Sequence, residues 1–292
     1  MYTITGVTGH VGAVVAGELL DRGAPVRVVV RDPEKGRAWE QRGAHAWVAD
    51  FNDRAALAGA LRGSDGAFVL LPTIPTAGDA GHRQLADSIA GAVADSGVPH
   101  VVMLSSIGAD LADGTGPIRW LHHLEARLRQ TDAVLSAIRS CHFQEKVETV
   151  LGAVLGAGVY PVFGETADVP TPMVATRDVG KVAVETLLAA RPTSEAIDLE
   201  GPAYTERDVA DQLATTLGRP LQVVTIPRAG WIDAMLEAGL PEPLAHELAA
   251  LYDAEQRGLL QPRADRLRTC TTRIDETLRH VVATAARQLS AT

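Results

Sequence analysis

Three histidines, His122, His123 and His142, can take and give a proton near neutral pH, and a serine pair, Ser105 and Ser106, offers hydroxyls beside a ligand. Far ahead of them the chain opens MYTITGVTGHVG, where Gly6, Gly9 and Gly12 recur at every third residue. A loop of that kind brings backbone N–H groups close to a phosphate. Proton donors combined with a phosphate cradle suggest chemistry on a ligand that carries a pyrophosphate.

The glycine triplet follows a β-branched run and precedes a helical pattern. Gly6 permits the turn, Gly9 clears the phosphate path, and Gly12 lets helix pack on strand. Thr8, His10 and Val11 share the loop and are assigned with the glycines to the cofactor. An ordinary tight turn is the plainer alternative, but strand, loop, helix and next strand all fall within the span that dinucleotide binding needs. At the end of the second strand, VVVRDPEKG places Arg31 where a cation would pair with a ribose 2′-phosphate, and Lys35 supports it. This favours NADPH. Asp32 offers the competing choice of a carboxylate turned to a free ribose hydroxyl, and Arg31 as a solvated charge is the bland one. Further along the same rim, Asp50 and Phe51 would border the adenine and Leu71 and Pro72 would pass beneath the ribose. Ser105 and Ser106 would face the nicotinamide, unless they only form a turn.

These residues need a scaffold of strand ends. Apolar runs at Tyr2–Thr5, Val26–Val30, Ala46–Val48, Ala67–Leu71, Val101–Leu104 and Val134–Ile138 read as six buried strands separated by amphipathic helices. Strict β–α–β alternation predicts an α/β fold, a doubly wound parallel sheet with its ligand crevice at the carboxyl ends of the strands. After about residue 150 the pattern loosens through a Gly/Pro-rich stretch, 152–172. Helix Val179–Leu188, strand Ala196–Leu199, helix Glu206–Leu217, strand Leu221–Ile226 and three further helices, Trp231–Ala238, Pro243–Gln256 and Ile274–Arg287, follow. The expected division is a dinucleotide-binding domain over 1–150 and a smaller C-terminal α/β cap over 151–292. Part of 170–190 should pack back on the first domain, and substrate should bind in the cleft between the two.

Composition narrows the partners. A net charge of −9 provides no basic field for nucleic acid, and no apolar run reaches bilayer length. Cys141 and Cys270 lack metal-ligand spacing, so neither a metal site nor a disulfide framework is expected. With no signal peptide ahead of the first strand, the expectation is a cytoplasmic protein acting on a small molecule, with a homodimer left open.

The segments TGVTGHVG, VVRDPEKG, VVMLSSIGAD, GTGPIRWLHHLEARL, AIRSCHFQEKV, TPMVATRDVGKVAVETLL and DLEGPAYTERDVADQLATTLGRPL stand in the order found in one known family. Through them the chain resembles the NmrA-like branch of the atypical short-chain dehydrogenase/reductases, which includes NADPH-dependent quinone oxidoreductases. The resemblance spans nearly the whole chain and implies a Rossmann-type fold, NADPH without flavin or metal, and either a reductase or a redox sensor that binds the dinucleotide without turning it over. Short-chain reductases commonly protonate the product through Tyr-x-x-x-Lys on the helix after the serine strand. Here no tyrosine lies between Tyr2 and Tyr160, and Leu121 stands where many relatives carry lysine.

Three residues are therefore assigned to catalysis: His142, His123 and Ser106. For each histidine a packing role is the alternative. His142 follows the sixth strand at the rim, where the resemblance places residues beside the nicotinamide, with Phe143 against the ring. Cys141 is read as core. A quinone relaxes the need for an acid, because hydride addition leaves a resonance-stabilised phenolate. The expected activity is hydride transfer from NADPH to a quinone or similar planar electrophile. A non-catalytic sensor and a pathway-specific biosynthetic reductase stand as alternatives. Tyr160, Pro161 and Phe163 would form an apolar lid or a plain connection, Asp178 a helix N-cap, and Arg177 a surface or cleft charge.

Overall fold

The computed structural model describes residues 1–290. Its first half runs β1 (Tyr2–Ile4), α1 (His10–Asp21), β2 (Val26–Val30), α2 (Pro33–Glu40), β3 (His45–Val48), α3 (Arg54–Leu61), β4 (Gly66–Leu70), α4 (Asp79–Ser96), β5 (His100–Ser106), α5 (Ile118–Leu128) and β6 (Val134–Ser140). All six expected strands are present. The chain continues through β7 (His142–Phe143), a 3-10 turn over Gln144–Val150, α6 (Leu151–Ala157), β8 (Val159–Phe163), β9 (Thr171–Val174), α7 (Thr176–Leu188) and β10 (Glu195–Glu200). It ends with β11 (Ala203–Tyr204), α8 (Glu206–Leu217), β12 (Gln222–Ile226), α9 (Trp231–Glu237), α10 (Glu242–Gln256), β13 (Arg266–Thr269) and α11 (Ile274–Ser290).

Eight strands form one parallel sheet in the order β13-β10-β6-β5-β4-β1-β2-β3. From β1 the chain moves outward to β2 and β3, then returns to β4 on the other side. The order therefore reverses between β1 and β4, and a crevice opens above their carboxyl ends. Fully buried side chains cover both faces: Ile4, Val28, Phe68, Val102 and Ile138 pack on one layer, while Val69, Val101, Met103 and Leu135 pack on the other. A strand buried on both faces must be apolar throughout, which explains runs such as VVV and VVML.

The second half departs from expectation at β10, within the 152–172 stretch and at the cap of α7. Strand β10, assigned from its apolar run to the cap, pairs with β6 and extends the main sheet, and β13 forms the new edge beside it. A short buried run carries no information about its partner, and β13, RLRT, has no apolar run at all. The 152–172 stretch is not an open connection: it contains α6 and β8, and β8 pairs in parallel with β12. Helix α7 lies against α1 so closely that a Cβ on Gly180 would stand 2.7 Å from Val14 Cβ. Its N-cap is Ala175. Asp178 instead lies in the first turn and accepts from Thr272 N at 3.0 Å, while Arg177 joins Thr272 and Glu276 on the α11 side. The remaining helices enclose two smaller cores, one around Tyr160, Leu213 and Leu278 and one around Trp231 and Met235.

Candidate functional site

The glycine loop occupies the switch point. Gly6 has φ +67°, the left-handed region open to glycine, and it lies against Leu70. Gly12 faces backbone: a Cβ there would stand 2.7 Å from Thr5 O and nearer still to Gly6 O. Gly9 differs from both. Its φ of −104° suits any residue, and a Cβ would meet only Gly6 O, at 3.5 Å. Nothing in the fold requires glycine at position 9, so the open space there fits a ligand that approaches the backbone. Gly9 is also the N-cap of α1 and supplies no capping side chain, which leaves the first N–H groups of the helix open to an anion. Thr8, Gly9 and His10 are exposed on this lip and Val11 is buried behind it. The donor set fits a dinucleotide pyrophosphate.

His10 Nε2 lies 2.9 Å from Glu148 Oε2, so the lip is paired with the 3-10 turn that follows β7. At the end of β2, Arg31 and Lys35 are exposed and form no ion pair among the described residues. Asp32 is the N-cap of α2 and accepts from Glu34 N at 3.0 Å, so its carboxylate is committed to the helix and does not turn to a ribose. That leaves Arg31 and Lys35 as the free charges at this corner among the described residues. Asp50 is exposed and accepts from Asn52 N at 2.8 Å, which fixes the turn after β3 and keeps Phe51 half-buried beside it. Leu71 and Pro72 follow β4 and are also half-buried.

Strand alternation separates the serine pair. Ser105 is buried and donates to Glu125 Oε1 at 2.7 Å, away from the rim, which corrects its placement against the cofactor. Glu125, 3% exposed, takes a two-pronged bond from Arg139, Nε at 2.9 Å and Nη2 at 2.7 Å, so this buried ion pair ties α5 to β6. Ser106 is the rim residue. It is opposite Ser140 in register and its hydroxyl donates to Ile107 O at 3.1 Å.

The histidines also separate. His123 lies in the α4–α5 groove, with Nδ1 3.3 Å from Arg83 Nη1 and Nε2 3.0 Å from Asp87 Oδ1. Both ring nitrogens are occupied there, which removes His123 from the proton-donor set. Consecutive helical residues point about 100° apart, and it is His122 that turns to the loop after β5, with Nδ1 2.9 Å from Ala109 O. Leu121 packs into the core.

His142 lies at the rim, in β7 beside Met173 of β9, with Phe143 next to it and packed on the core. Its Nε2 is 3.0 Å from Glu255 Oε1 of α10. Burial pushes the Glu255 carboxyl up, but pairing with His142 and the charge of Lys146 outweigh it and hold the group below its ordinary range. Lys146 pairs with Glu206, which also accepts from Tyr160 OH at 2.7 Å. Tyr160 is buried and bonded there, so it belongs to the small core and not to a lid; its desolvated phenol is pushed well above the usual range. Burial likewise pushes the Cys141 thiol up to about 12, and the side chain packs against the main core. Glu255 was not legible from sequence, because a helical glutamate more than a hundred residues from His142 carries no signal of its partner. Among the described residues no cluster of His, Cys, Asp and Glu could hold a metal, and no helix is long and apolar enough to cross a membrane.

A family model described as NAD(P)H-binding matches residues 6–190. The chain is 34% identical over 262 residues to a (4-alkanoyl-5-oxo-2,5-dihydrofuran-3-yl)methyl phosphate reductase of Streptomyces griseus, covering 88% of this chain and 87% of that one. It is 28% identical over 254 residues to an NAD(P)H azoreductase of Xenophilus azovorans, covering 86% of each. The fold superposes on an NADPH-dependent quinone oxidoreductase of Escherichia coli, solved with NADPH, at a TM-score of 0.80 and 24% identity, over 97% of this chain and 100% of that one. The chain belongs to the NAD(P)H-binding family and is an NAD(P)H-dependent oxidoreductase built on a Rossmann-like sheet.

Proposed function

We propose that this chain reduces a quinone or a similarly conjugated planar electrophile with NADPH, and that His142 returns the proton. Bound NADPH supplies the hydride. Gly6, Thr8, Gly9, His10, Val11 and Gly12 hold the pyrophosphate, and the unpaired Arg31, with Lys35, takes the 2′-phosphate. Asp50 and Phe51 border the adenine, Leu71 and Pro72 pass under the ribose, and Phe143 packs beside the ring. Residues 1–150 supply the dinucleotide site, while the chain after 150 adds β10 and β13 to the main sheet and contributes α10 and the small cores that close the substrate side.

The observation that carries the choice of acceptor is α5. The helix that bears the tyrosine and lysine of ordinary ketone reductases offers Leu121 to the core, His122 to a backbone carbonyl and His123 to Asp87. An acceptor that delocalises the charge left by hydride addition needs no such acid, and one imidazole at the rim suffices. Quinone, azo and dihydrofuranone compounds, the acceptors named for the relatives, all share that property.

The test is NADPH consumption by purified protein against a panel of quinones, azo dyes and conjugated lactones. Oxidation above the enzyme-free rate on at least one acceptor, with simple ketones inert, is the expected result. No consumption on any acceptor would sink the proposal.

A further inference from the structure

Glu255 stands behind His142. It is carried by α10, a helix fixed at both ends. Near its start, Glu247 takes a two-pronged pair from Arg119 of α5, with Nη2 at 2.6 Å from Oε1. Near its end, Asp253 pairs with Arg228 at 2.7 Å and with Arg257 at 3.3 Å. The middle of α10 lies directly on the loop after β5, where a Cβ on Gly116 would stand 2.8 Å from Leu251 N. A helix held in this way presents Glu255 at a set height above the rim.

Among the described residues only one nitrogen of the His142 imidazole has a hydrogen-bonding or ionic partner. Nε2 faces Glu255 at 3.0 Å, whereas Nδ1 has no protein partner among the described residues and is not sealed from solvent. A carboxylate accepts and never donates when ionised, so it selects the ring form with hydrogen on Nε2 and leaves Nδ1 as the working nitrogen. We infer that Glu255 is a positioning residue that holds His142 in its Nε2–H form with Nδ1 turned to the substrate. In the proton step the imidazolium Nδ1–H bond breaks and a bond from that hydrogen to the reduced acceptor's anionic atom forms. The ring is left neutral, in the form that Glu255 holds. Nδ1 takes its proton from solvent before the step, so one hydride from NADPH and one solvent proton together reduce the acceptor.

The inference rests on His142 as the proton donor, and its test separates the two claims. NMR of protein labelled at the histidine ring nitrogens reads the His142 form without any substrate. Wild type should show the Nε2–H form; Glu255→Leu, which removes the acceptor at similar size, should lose it; and Glu255→Gln, whose amide oxygen can accept the same bond, should keep it. In turnover, Glu255→Leu should lower kcat by about 10- to 100-fold with the NADPH dissociation constant unchanged, and Glu255→Gln should stay within about threefold. His142→Asn should lose as much as Glu255→Leu, and the double variant no more than either single one. An unchanged ring form in Glu255→Leu, or additive losses in the double variant, would overturn the inference. If no acceptor is turned over, the functional proposal fails, and the NMR comparison alone still decides the role of Glu255.

Discussion

Replacing Gly9 and Gly12 each by alanine separates a ligand cradle from an ordinary tight turn. At Gly12 the new methyl would meet backbone, 2.7 Å from Thr5 O and closer to Gly6 O, and neither atom can swing aside. Overpacking of that kind costs about 3 kcal/mol or more, and at roughly 2–4 °C per kcal/mol the melting temperature should fall by about 6–12 °C. At Gly9 the methyl finds one neighbour, Gly6 O at 3.5 Å, and φ is −104°, so the folded chain accepts it. Loss of a tolerable N-cap residue and gain of unfolded-state restriction roughly offset, leaving about 0.5 kcal/mol or less. The same methyl projects into the space assigned to pyrophosphate, where about 1–3 kcal/mol of overpacking becomes about a 5- to 150-fold loss of NADPH affinity. Thermal unfolding of the free protein and titration with NADPH read the two effects independently. Gly9→Ala binding NADPH within twofold of wild type would refute the assignment, as would an affinity loss that tracks a lowered melting temperature.

Other expectations follow from the same geometry. Arg31→Ala should weaken NADPH by about 1.5–3 kcal/mol, the worth of a hydrogen bond to a charged group, and leave NADH unchanged in parallel titrations; Asp32→Ala should cost about 1 kcal/mol of stability through its lost cap without altering that preference. Glu125→Gln should destabilise the protein by about 3–5 kcal/mol in urea unfolding, because it leaves Arg139 buried without its counter-charge. Glu255 is held below its ordinary value of 4.5, so its contribution is complete above that pH and is lost as pH falls through the lowered value. Melting temperatures taken from neutral pH downward should therefore show the gap between wild type and Glu255→Gln shrinking only below about pH 4.5.

How much was legible depended on whether a residue's role is local. The first six strands, the glycine loop and the left-handed Gly23 and Gly97 that stop α1 and α4 are set by neighbours in sequence, and all were readable. The place of Arg31 at the end of β2 was readable for the same reason, since a strand end fixes its own corner. What failed was long-range. The apolar run of β10 would suit either sheet, and the exposed β13 gave no pattern. Ser105 and Ser106 could not be told apart without knowing which face α5 covers, nor could His122 and His123 without knowing that α4 lies beside the latter. The partnership of His142 with Glu255 joins the sixth strand's end to a helix from the cap, which only the folded chain brings together.

The most direct measurement follows the reducing hydrogen itself. NADPH carrying deuterium at nicotinamide C4, in each stereochemical form, is incubated with the protein and a conjugated unsaturated lactone that retains the label on carbon. Direct transfer from a cofactor held in the glycine cradle predicts carbon-bound deuterium in the product from one form only. Product carrying solvent hydrogen from both forms, or equal label from each, would contradict the account.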